Sequence, residues 1–103
     1  MKSRREMLED FVAQDPGDSF SRFALALELE KEARSLDAVA QLQEVVTRDP
    51  DYVPAFYHLG RLLVGQGRAE DAREIYQRGL EVASKAGDRR TSDEIQEALD
   101  ALS

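Results

Sequence analysis

Apolar residues recur along this chain at helical spacing, in stretches separated by short polar turns. Leu25, Ala26 and Leu29 share one face of a helix expected over 20–33, and Ala38, Leu42, Val45 and Val46 share one face of a second over 36–48. Leu59, Gly60 and Leu63 mark a third helix, and Ala72, Ile75, Tyr76, Gly79 and Leu80 a fourth. Met7, Leu8, Phe11 and Val12 predict a helix over 4–16, and Ile95, Leu99 and Leu102 one over 91–102. The expected chain is therefore six helices and no strand. Ser35 is the expected N-cap of the second helix, and Pro50 cannot continue it. Gly65 and Gly67 fall where a left-handed turn would close the third helix, and Gly87 where the fourth, running to Ala86, would end. Thr91 and Glu94 have the T-x-x-E spacing of a capping box ahead of the last.

The pattern repeats. Asp15-Pro16 returns as Asp49-Pro50, an offset of 34 residues that also aligns Leu25 with Leu59, Leu29 with Leu63, Arg34 with Arg68 and Ala38 with Ala72. Each period holds two amphipathic segments with small residues (Ala26, Ala38, Gly60, Ala72) where paired helices would approach closely. The second period reads Phe56-x2-Leu59-Gly60-x2-Leu63, then Ala72-x3-Tyr76; the first reads Arg22-x2-Leu25-Ala26-x2-Leu29, then Ala38-x3-Leu42, then Pro50. These residues resemble the tetratricopeptide repeat signature, Trp-x2-Leu-Gly-x2-Tyr, Ala-x3-Phe, Pro. Arg22 stands where an aromatic is usual, and Ser84 where the closing proline would fall.

The resemblance implies an all-α fold: antiparallel helix-turn-helix repeats stacked as a short right-handed α-solenoid within one domain, 1–103. Its parts would be a half-repeat helix (4–16), repeat 1 (19–52), repeat 2 (53–86) and a capping helix (91–102). It also implies a function, since such arrays line a concave groove with the first helices of successive repeats and receive a peptide or partner protein there.

On the first helices, the residues opposite the core face are Phe20, Phe23, Ala24, Leu27 and Lys31, and 34 positions further on Pro54, Tyr57, His58, Arg61 and Gly65. The candidate groove is therefore Phe20, Phe23, Leu27, Lys31, Tyr57, His58 and Arg61. A helix with apolar residues on two faces buries both somewhere, so a second reading of Phe20 and Phe23 stays open: packing against the N-terminal helix. Chaperone-binding members of the family grip a C-terminal carboxylate with groove lysine and asparagine. Phe23 and Leu27 hold those places here, so no clamp of that kind is expected.

Composition narrows the chemistry. Fourteen basic and 21 acidic residues leave a net charge of −7, a surface that repels phosphate backbones and makes nucleic acid a poor partner. With no cysteine and only one histidine, His58, a metal site would need carboxylates for nearly all its ligands. No glycine has the setting of a phosphate loop, and nothing sets a serine beside His58 for nucleophilic catalysis. No apolar run approaches the roughly 20 residues of a membrane span, and no signal peptide is discernible. The expectation is a cytoplasmic, non-enzymatic binding module without metal or cofactor. The alternative is a structural module that self-associates as a homo-oligomer, or a fragment of a longer array that stacks on further units, through its incomplete N-terminal end.

Overall fold

The structure, a computed structural model, describes residues 1–102. Ser103, the last residue of the expected domain, lies outside them. The described residues form α1 (Arg4–Gln14), α2 (Ser19–Lys31), α3 (Ser35–Arg48), α4 (Val53–Gly65), α5 (Ala69–Ala86) and α6 (Arg89–Ala101), with no strand among them. The chain divides into two compact units, Met1–Asp49 and Pro50 onward. In the first, α2 packs on both α1 and α3; in the second, α4, α5 and α6 pack on one another.

The core of the first unit is Leu8 from α1, Leu25, Ala26 and Leu29 from α2, and Ala38, Val39, Leu42, Val45 and Val46 from α3, all buried. The second unit buries Ala55, Phe56, Leu59, Leu62 and Leu63 of α4, Ala72, Ile75, Tyr76 and Ala83 of α5, and Ile95 of α6. Helix contact in this unit depends on two glycines. A Cβ at Gly60 would fall within the van der Waals envelope of the Tyr76 ring, and one at Gly79 would lie 2.5 Å from Phe56 Cβ. Each glycine therefore lets an aromatic residue of the facing helix lie directly on backbone.

Three expected helix ends are corrected. Ser35 is the first residue of α3 rather than its cap; Arg34 precedes it with no side-chain cap bond, and the Arg34 guanidinium instead pairs with Asp37 at 2.8 Å. At α6 the capping residue is Asp88, whose carboxylate accepts from the Thr91 backbone N–H at 3.0 Å and from the Thr91 hydroxyl at 2.9 Å. The helix thus starts at Arg89, and Thr91 lies in its first turn. Gly65 belongs to α4, and the left-handed turn falls on Gly67 alone, at φ 76°. The same place one period earlier is occupied by Ala33 at φ 59°, a conformation an alanine rarely adopts. Gly87, at φ 72°, ends α5 as the sequence implied.

Candidate functional site

The four candidate residues of the first unit, Phe20, Phe23, Leu27 and Lys31, lie on the α2 face that the Leu25–Ala26–Leu29 core stripe leaves outward. They come together in one cleft of about 230 Å³, completed by Ala24, Glu28 and Arg4. Asp18 starts this helix by accepting the Phe20 N–H at 3.1 Å and the Ser21 hydroxyl at 2.7 Å. Those bonds, the Ser21 hydroxyl foremost, hold the Asp18 carboxyl below its usual pKa. Phe20 is 67% exposed, so packing against α1 does not account for it; Phe23 and Leu27 are half-buried. Glu28 sits between two cations, 3.4 Å from Arg4 and 3.9 Å from Lys31. The cleft is thus an apolar, aromatic-bearing floor with a polar edge of two positive charges and one negative.

Arg4 and Glu28 were not singled out from the sequence. Arg4 belongs to a different helix, and a pair 24 positions apart leaves no periodic signal.

In the second unit, Tyr57, His58 and Arg61 cluster on α4. The Tyr57 and His58 rings meet edge to face with centroids 5.6 Å apart, and Arg61 Nη2 lies 3.2 Å from His58 Nδ1. A guanidinium only donates, so Nδ1 is the acceptor in that contact. All three are half-buried. Beneath them the Tyr76 phenol is pushed above its ordinary pKa, by burial first and then by Tyr57, with Arg61 opposing.

Arg22, in the place of an aromatic, spans the first unit as a polar brace: it donates to Gln41 Oε1 at 2.9 Å and to the Pro16 carbonyl at 3.0 Å. Among the described residues, no group of three or more His, Cys, Asp or Glu could hold a metal ion, and no helix is long and apolar enough to cross a membrane.

The model of the tetratricopeptide repeat family matches residues 29–89, more than half of the chain. The chain belongs to the tetratricopeptide repeat family. Among solved structures, a tetratricopeptide repeat domain protein from Salinibacter ruber is 40% identical, with a TM-score of 0.80 over 82% of this chain and 94% of that one. A protein from Bordetella parapertussis, solved in solution, is 31% identical, with a TM-score of 0.81 over 99% of this chain and 89% of that one. The Yersinia enterocolitica type III secretion translocator chaperone SycD is 15% identical and shares the fold alone, with a TM-score of 0.88 over 95% of this chain and 68% of that one. No curated protein matches the chain. As a family member, the chain is a helical-repeat module of a kind that generally serves protein interaction rather than catalysis.

Proposed function

We propose that this tetratricopeptide repeat chain is a non-catalytic adaptor that takes up a segment of a partner protein on its first-helix surfaces: Phe20, Phe23, Leu27 and Lys31 on α2, and Tyr57, His58 and Arg61 on α4. The observation that carries the reading is Phe20. A phenylalanine 67% exposed at the mouth of a cleft floored by Phe23, Ala24 and Leu27 is costly in water and useful in an interface. The Tyr57–His58–Arg61 cluster supports it, because amphipathic tips of this kind are enriched where proteins meet. The segment suited to the α2 cleft carries an apolar or aromatic anchor. We take residues 1–103 as one domain and its setting as cytoplasmic.

The test is a displayed random-peptide library selected on the wild-type chain, with affinities then measured against Phe20→Glu and Tyr57→Ala. The reading expects peptides sharing an apolar anchor whose affinity falls at least about tenfold with Phe20→Glu, on the scale of a lost hot spot. Peptides that bind Phe20→Glu as well as wild type would contradict it.

A further inference from the structure

Phe20, Ala24, Leu27 and Lys31 follow one another at helical spacing along α2 and form a single stripe of the cleft. At the Phe20 end the Asp18 carboxylate is already engaged by the Phe20 N–H and the Ser21 hydroxyl. Lys31 stands at the other end, its side chain 75% exposed. There one carboxylate oxygen, Glu28 Oε2, faces two cations, Arg4 Nε at 3.4 Å and Lys31 Nζ at 3.9 Å. Arg4 is the nearer, and 3.9 Å is too long for a hydrogen bond, so the Lys31 ammonium keeps its donors for water. Glu32, the next residue, is held by Arg5 at 2.8 Å and does not line the cleft. A carboxylate arriving at Lys31 therefore displaces water and breaks no hydrogen bond within the chain.

Resting on the adaptor reading, we infer that the segment taken up in the α2 cleft carries, besides its apolar or aromatic anchor, an acidic side chain that meets Lys31. The charge of the whole chain works against such a ligand: at −7 its field repels anions and draws basic segments. A preference for acid at this place therefore has a local source, the two cations set against one carboxylate at the Lys31 end of the cleft. The anchor seats over Ala24, the small residue among Phe20, Phe23 and Leu27. From Ala24 to Lys31 is about 10 Å along the helix axis, which an extended segment spans in about three residues. The acid is a side chain rather than a chain terminus, because Phe23 and Leu27 hold the places of the lysine and asparagine that grip a C-terminal carboxylate in chaperone-binding members of the family.

The test takes the library-selected peptides, made with amidated C-termini and with glutamate, glutamine or lysine about three positions to either side of the anchor. Fluorescence anisotropy measures their affinities for the wild-type chain, Phe20→Glu, Lys31→Glu and Lys85→Glu. Lys85 is the last-turn lysine of α5, as Lys31 is of α2, and does not line the cleft. Its reversal therefore repeats the change in net charge and in helix-end charge without touching the site. Wild type should bind the glutamate version about threefold tighter than the glutamine version, the scale of an exposed ion pair, and the lysine version weakest. Lys31→Glu should reverse that order, Lys85→Glu should keep it, and Phe20→Glu should weaken every version. Phe20-dependent peptides that bind best with lysine, bind alike with glutamate and glutamine, or keep their acid preference in Lys31→Glu would overturn the inference and leave the adaptor reading standing. Peptides indifferent to Phe20→Glu would overturn both.

Discussion

The two units use one register and dispose of their aromatic residues differently. In the second, Phe56 and Tyr76 are 0% and 2% exposed, seated on Gly79 and Gly60. In the first, the same four places hold Arg22, Leu42, Val45 and Ala26: each glycine has become larger and each aromatic smaller or polar. The core is filled either way, by rings on backbone in the second unit and by the buried Ala26, Leu42 and Val45 in the first. What differs is where the remaining aromatics go. Phe11 and Phe20 of the first unit are 53% and 67% exposed. A unit that fills its core without aromatic rings carries those rings at its surface, where they are available for contact.

The sharpest way to break this comparison is to truncate equivalent residues. Phe56→Ala should cost about 3–5 kcal/mol, as a buried ring leaves a cavity. Arg22→Ala, which loses two part-exposed hydrogen bonds, should cost about 1 kcal/mol or less. Urea unfolding measures both, and equal costs would contradict the difference drawn between the two units.

Next comes the size exchange. Gly60→Leu should cost about 2 kcal/mol or more by overpacking against Tyr76. Gly60→Ala alone should also destabilise, and adding Tyr76→Leu, which recreates the Ala26–Leu42 pair of the first unit, should recover at least about 1 kcal/mol as coupling in a double-mutant cycle. Additive effects would deny that the two positions touch.

The left-handed turns give a smaller effect of opposite sign in the two units. Ala33→Gly should stabilise by about 0.5–1 kcal/mol, because φ 59° strains an alanine, whereas Gly67→Ala should cost a similar amount. Calorimetric melting of the two variants decides it.

Smallest is the response to acid. Glu6, bonded to the Ser3 backbone N–H and accompanied by its hydroxyl, and Asp18, at the start of α2, both have lowered pKa values in the first unit. In the second unit Asp88 is lowered by the Thr91 backbone N–H and hydroxyl. A carboxylate whose folded pKa lies below its unfolded value stabilises fully above that unfolded value, about 4, and the contribution is lost as pH falls through the folded pKa. Amide exchange should therefore report that α1 and α2 loosen as pH drops below about 4, with α6 following from its first turn. Asp18→Asn and Asp88→Asn should each flatten that dependence in their own helix.

The all-α class and the family were legible because period, small-residue sites and the Asp-Pro terminators all repeat. So was the close approach at Gly60. The helix starts at α3 and α6 were not: Asp88 lies outside the apolar pattern that defines α6, yet its carboxylate reaches Thr91 first and sets the start. Ser35 carries a cap-forming side chain, but the turn before it is closed by backbone bonds, the Arg34 N–H donating to the Leu29 carbonyl at 2.9 Å, and Ser35 is already the first residue of α3. At the candidate site, Phe20, Phe23, Leu27 and Lys31 were found from the second stripe of α2. The charged edge was not, since Arg4 comes from another helix and only the fold brings it to Glu28.

The most direct test of the adaptor reading is a chemical-shift map of the isotope-labelled chain titrated with a library-selected peptide. The prediction is that the largest changes fall on Phe20, Phe23, Leu27 and Lys31, with a second group at Tyr57, His58 and Arg61. Changes centred instead on the outer faces of α3 or α5, with the α2 cleft silent, would contradict it.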